Sequence, residues 1–160
     1  MQLAPGDIVA IETETGPALV QVTHTHVSYP EVLRVLGKGL GAASDAGADN
    51  VADPAGLAQA PTRAIAMAPL GAMLASGRLQ GRVLGCAPLP ADARAFPLFK
   101  MPIFDKIDGR RENVAYWWLW DGDGLRFSTA PDHEFDRVPL REVLGAERLL
   151  ALLADLPARG

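Results

Sequence analysis

The chain has 160 residues and a mass of 17.0 kDa, is 49% hydrophobic, and carries nineteen acidic against fifteen basic residues for a net charge of −4. A chain of that length supports one domain burying roughly 68 to 70% of its extended surface, so a core can form without disulfides or a structural metal. The lack of a long basic run excludes a protein that tracks nucleic-acid phosphates, and no stretch of eighteen apolar residues could form a membrane-spanning helix.

The opening "MQLAPGDIVAI" has no basic region leading into an apolar one, so a cytoplasmic protein is expected. Ile8 and Ala10 alternate with Asp7, Val9 and Ile11, and "TETG" supplies a turn before "PALVQVTHTH". In that second run Leu19, Gln21, Thr23 and Thr25 share one side, with Val20, Val22, His24 and His26 opposite. Pro30 restarts the chain. Val32, Leu33, Val35 and Leu36 then follow an imperfect period that predicts a bulged or strongly twisted strand. Three short strands joined by tight connections predict a meander curling into a small barrel.

Residues 42–60 are dominated by Gly, Ala and Asp and predict a flexible surface excursion within the domain. The preceding Gly37, Gly39 and Gly41 do not make a phosphate loop, because Lys38 comes before the later glycines and no hydroxyl residue follows it in a helix-opening context. Order resumes with a strand through Ile65 and Met67, a short helix over Leu70, Met73 and Leu74, and a strand from Arg82 to Cys86. Cys86 is the single cysteine, which rules out an internal disulfide; it is expected as a small buried hydrophobe.

"FPLFK" and "VAYWWLW" add two strands, and "LRFST" follows the second across "DGDG", whose Asp-Gly pairs suit a hairpin turn with positive φ. The tail predicts a helix carrying Leu149, Leu152, Leu153 and Leu156 on one stripe and limited by Pro157. The expected fold is therefore α+β and mainly β: one domain over residues 1–160, built as a small curled or barrel-like antiparallel sheet with a short middle helix and a C-terminal helix.

The stretch from 114 to 120 is the densest in aromatic residues. As a strand it directs Val114, Tyr116, Trp118 and Trp120 one way and Ala115, Trp117 and Leu119 the other. Each large side chain fully buried contributes roughly 1.5 to 3 kcal/mol, so closing a core accounts for much of the cluster. Rigid rings also anchor protein contacts at low entropic cost, which makes Tyr116, Trp118 and Trp120, with Asp121 and Asp123 beside them, the candidate partner-binding residues.

Other chemistry is thinner. His24 and His26 sit at i and i+2, where one strand face could offer both to a metal with a third ligand from Asp132, His133 or Glu134. A metal-binding or small-molecule β-barrel enzyme using His24, His26 and the 132–134 region is thus the alternative reading, although no trio of nucleophile, base and orienting group accompanies them. A calcium loop counted from Asp121 puts Leu125 and Phe127 where oxygen ligands belong. Ser28 and Ser128 lack the Gly-x-Ser-x-Gly elbow of an esterase.

Three segments in order, "GDIVAIETETGPALVQVTH", "APLGAMLASGRLQGRVLGCAPLPADARAFPLFK" and "NVAYWWLWDG", resemble immunity protein family 26 of bacterial polymorphic toxin systems. Gly6 and Asp7 match its opening turn, Gly85, Pro88 and Pro90 its middle strand and exit, and Phe96, Pro97, Phe99, Trp117 and Trp118 its aromatic elements. The chain departs from that pattern in lacking an aromatic near Gly81 or Arg82 and in its long excursion. The resemblance implies a small β-rich cytoplasmic protein that binds and neutralises a cognate toxin by contact, without catalysis or cofactor. A monomer or weak homodimer that binds neither nucleic acid nor membrane completes the expectation.

Overall fold

The computed structural model describes residues 1–38, 56, 59–107, 110–129 and 132–156. They divide into two compact units, one of Met1–Ala95 with Val143–Gly160 and one of Phe96–Glu142.

The first unit contains β1 (Asp7–Ile11), β2 (Ala18–His26), β3 (Tyr29–Lys38), β4 (Ala64–Met67) and β5 (Gly81–Cys86), with helices α1 (Leu70–Ala75) and α2 (Ala146–Ala154). Its sheet runs β4-β3-β2-β1-β5, every pair antiparallel. The turn read from "TETG" forms with Gly16 at φ +102° and its amide donating to the Thr13 carbonyl. The imperfect period after Pro30 corresponds to register shifts between β2 and β3 at three places.

The expected barrel is not there. The five-stranded sheet stays open, because closure would need its outer strands β4 and β5 to bond to each other, and β4 instead meets Val143 in a parallel bridge. The three remaining strands form a separate sheet rather than extending the first. Neither sheet closes or curls strongly.

Alternation makes the five-stranded sheet apolar on both sides. Val9, Ile11, Val20, Val22, Leu33 and Val35 face a core shared with Leu70 and Met73 of α1 and Leu149 and Leu153 of α2. Ile8, Ala10, Leu19 and Leu36 face a second cluster with Ala60 and Ala87. Across that second face the register places Ile8 beside Gln21 and Gln21 beside Arg34. Arg34 is 2% exposed and Gln21 fully buried. Arg34 Nε donates to Gln21 Oε1 at 2.7 Å and its guanidinium to the Ala60 carbonyl at 3.1 Å, while Gln21 Nε2 donates to the carbonyls of Gly6 and Ala87. Burial lowers the Arg34 pKa, the attraction of Asp92 opposing it.

Gly71 interrupts the helical pattern of α1 for a packing reason: a Cβ there would lie 2.5 Å from the Met1 carbonyl oxygen and 2.9 Å from Glu31 Oε1, which accepts the Gly71 amide. Of the expected stripe, α2 carries Leu149 and Leu153, both buried, and the half-buried Leu152; the helix ends at Ala154, so the half-buried Leu156 lies past it. Lys38 donates from Nζ to the Ala154 carbonyl at the end of α2, where a cation complements the helix dipole. Cys86 departs from expectation: it lies at the end of the outer strand β5 and is exposed. Of the excursion expected over 42–60, all but 56, 59 and 60 lies outside the described residues, as do Gly39, Gly41 and Pro157.

The second unit contains β6 (Phe99–Ile107), β7 (Arg110–Trp120) and β8 (Leu125–Ser128), antiparallel in that order. Residues 139–141 run beside β6: the Lys100 amide donates to the Pro139 carbonyl at 2.9 Å and the Arg141 amide to the Lys100 carbonyl at 2.8 Å. A 3-10 turn, Asp132–Phe135, precedes them.

Candidate functional site

The three-stranded sheet has two unlike faces. On one, Trp117 and Leu119 are buried with Phe135, and Leu98, Val114 and Val138 pack around them. Lys100 Nζ sits 4.7 Å from the Trp117 ring centroid and donates to the Phe135 carbonyl at 2.6 Å. Val114 belongs to this side rather than with Tyr116, because the pairing jumps from Ile103↔Tyr116 to Phe104↔Val114 and a bulged residue reverses the alternation.

The other face carries the sequence-derived site residues. Tyr116 and Trp118 are half-buried and meet edge to face, their ring centroids 6.4 Å apart. Phe127, directly across from Trp118 on β8, completes a three-ring cluster, 6.1 Å from Trp118 and 6.4 Å from Tyr116. Phe127 is 66% exposed and its neighbour on that face, Leu125, 54%. Trp120 shares the face but is buried, packed on Phe96 and Phe99 with the Arg141 guanidinium 4.3 Å above its ring. Arg141 also reaches the Met101 sulfur at 3.6 Å.

Asp121 and Asp123 occupy the β7–β8 connection, both exposed. Asp121 Oδ1 accepts the amides of Asp123 at 3.1 Å and Gly124 at 2.9 Å, and these donors, Gly124 foremost, hold its carboxyl below the usual range. Gly122 takes φ +92° with Phe96 against it, as a positive-φ hairpin turn requires. The structure thus gathers Tyr116 and Trp118 in one exposed cluster, stacks Trp120 inward next to it, and sets the two aspartates at its rim. Phe127 was missed by the sequence reading. The four-residue connection fixes Trp120 opposite Leu125, and counting back from that pair places Phe127 beside Trp118.

The histidines are drawn into local bonding. His24 Nδ1 and Thr23 Oγ1 are 3.0 Å apart, and His24 Nε2 lies 3.1 Å from the Arg94 carbonyl oxygen. His26 accepts the Ser28 amide through Nδ1 and stacks on Tyr29 at 5.1 Å. Register shifts between β2 and β3 flank His24 on both sides. A hollow of about 730 Å³ opens beside His26, Tyr29 and Glu31, but His24 is not on its wall. His24 and His26 belong to the first unit and residues 132–134 to the second. No group of three or more His, Cys, Asp or Glu among the described residues is arranged to hold a metal ion. No helix among them is long and apolar enough to cross a membrane.

No protein-family model, curated protein or solved structure matches the chain. The likeness to immunity protein family 26 therefore rests on the sequence segments alone.

Proposed function

We propose that this protein acts by protein–protein contact rather than catalysis, docking a cognate toxin on the Tyr116–Trp118–Phe127 face in the cytoplasm and neutralising it there. One observation carries the reading. The three-ring cluster includes a phenylalanine two-thirds exposed, beside a second exposed apolar residue on the same face, while the opposite face already closes a core around Trp117. Folding alone does not require rings on the open face, whereas a binding surface uses such rigid anchors within a polar rim. Asp121 and Asp123 supply an acidic rim and favour a partner whose contact surface is basic.

Co-purification from the native cells with mass spectrometry, followed by titration of the recovered partner, tests the reading. A stoichiometric protein partner whose affinity falls at least about tenfold with Trp118→Ala, a loss of roughly 1.4 kcal/mol, is the expected result. Recovery of no partner, or a partner indifferent to Tyr116, Trp118 and Phe127, would overturn it.

A further inference from the structure

We infer that the Tyr116, Trp118 and Phe127 rings seat the guanidinium of an arginine carried by the partner protein. The source of that arginine rests on the docking reading; the seat itself rests on the geometry of the rings. Their three planes are mutually steep, at 71°, 74° and 74°, and every pair of centroids is 6.1 to 6.4 Å apart. Two residues along β7, Trp120 closes an edge-to-face pair with Phe96 at 4.9 Å. The open three stand wider than that closed pair, and Phe127 is 66% exposed. A point off their triangle on the solvent side lies within about 5 Å of all three centroids, inside the about 6 Å over which a ring attracts a cation.

The chain's own cations serve other rings. Lys100 lies over Trp117 and Arg141 over Trp120, both buried, and among the described residues no cation contacts Tyr116, Trp118 or Phe127. Arg126, next to Phe127, pairs with Leu119 and so alternates to the Trp117 side. Arg141, 4.3 Å above Trp120, sets the pattern for this face. A guanidinium is flat, weakly hydrated and stacks on a ring, whereas an ammonium is compact and holds its water.

Charge favours the same occupant. Asp121 follows Trp118 by three residues, about 10 Å along the strand, which is the reach of an exposed charge at about 0.1 M salt. Asp123 is exposed beside it. A neutral side chain in the seat would leave both carboxylates facing the interface without a counter-charge. An arginine supplies that charge and, through its flat group, contact with all three rings.

NMR titration of the full chain with Nα-acetyl-arginine amide, against the citrulline amide of the same shape and no charge, tests the seat directly. Each ring holds an exposed cation by about two- to fivefold, so the three together should favour arginine over citrulline about tenfold or more. Saturable shifts of the Tyr116, Trp118 and Phe127 ring signals should appear in about the millimolar range. Phe127→Leu removes one ring at an exposed position, where the fold asks little, and should weaken arginine binding about two- to fivefold. In the protein recovered as partner, one arginine should cost at least about tenfold in affinity when changed to alanine, and that cost should shrink once Phe127→Leu is present. Equal responses to arginine and citrulline, shifts that avoid the three rings, or partner arginines whose costs are all unchanged by Phe127→Leu would overturn the seat while leaving a docked partner in place. Recovery of no protein partner would instead remove the docking reading, and the source of the arginine with it.

Discussion

The two sheets of this protein solve the same burial problem with different residues. In the five-stranded sheet the central strands β1, β2 and β3 are buried on both faces over most of their length, and the clusters on them consist, among the described residues, of non-aromatic apolar side chains, Val9, Ile11, Leu33 and Val35 on one side and Ile8, Leu19 and Leu36 on the other. In the three-stranded sheet the buried face relies on Trp117 and Phe135, and the other face is aromatic as well. A small unit has few residues with which to exclude water, and a ring covers more area per residue than valine, which explains Trp117, Trp120 and Phe99. It does not explain Phe127. The comparison separates rings spent on folding from rings left over, and it is the second group that carries the proposed contact.

The largest effect expected is at the pair that divides those groups. Trp117→Ala should destabilise the second unit by roughly 3 to 5 kcal/mol, because Trp117 is 7% exposed and its loss opens a cavity against Phe135 and Leu119. Trp118→Ala, at a half-open site, should cost roughly 1 to 2 kcal/mol. Denaturant unfolding of the two variants measures the difference. Equal losses would mean that the open face is as structural as the closed one, and the comparison would collapse.

In the five-stranded sheet the sharpest test is Arg34, the more deeply buried of its two buried cations among the described residues. Arg34→Met should cost about 1 to 3 kcal/mol by leaving Gln21 Oε1 and the Ala60 carbonyl without the guanidinium donors. Adding Gln21→Leu should cost less than the sum of the single variants, since it removes one of the stranded acceptors. A double-mutant cycle with zero coupling would show that the pair is incidental to that face.

Gly122→Ala should destabilise the β7–β8 hairpin by roughly 1 to 2 kcal/mol, combining a positive φ with a methyl group 2.7 Å from the Phe96 ring. Thermal unfolding followed by aromatic circular dichroism reads the loss. An unchanged midpoint would indicate that Phe96 yields and that Trp120 does not depend on it.

Local features were legible from the chain where one residue type dictates one geometry. The Thr13–Gly16 turn, the short helix over Leu70 and Met73, the leucine stripe of the last helix and the hairpin after Trp120 all follow from nearby residues. What failed was long-range. Alternation shows that Ile8 and Val9 point oppositely, but not that both sides are covered, nor that β4 ends against Val143 instead of β5. A bulge hid a further relation: one beside Val114 moved it to the Trp117 side. At the candidate site, Tyr116 and Trp118 were readable because two residues apart on a strand share a face. The burial of Trp120 depends on Phe96 and Arg141, distant in sequence, and no local pattern announces it.

The smallest effect expected is a pH dependence at the turn joining β7 to β8. Asp121 is fully exposed, and its carboxyl is lowered chiefly by the Gly124 amide and next by that of Asp123, with a lesser attraction from Arg126. A carboxyl whose folded value lies below its unfolded one binds its proton more readily in the unfolded chain. The stability it contributes is therefore fully present above the ordinary value of about 3.9 and is lost as pH falls through the lowered folded value. The Gly124 amide should report this directly: its NMR shift should move with a midpoint below about 3.9, as protonation weakens the 2.9 Å bond it donates. Asp121→Asn retains an oxygen acceptor but cannot titrate, so its Gly124 amide should stay level across the same range while the hairpin remains formed. A midpoint at or above the ordinary value would show that the two amides do not engage the carboxylate in solution.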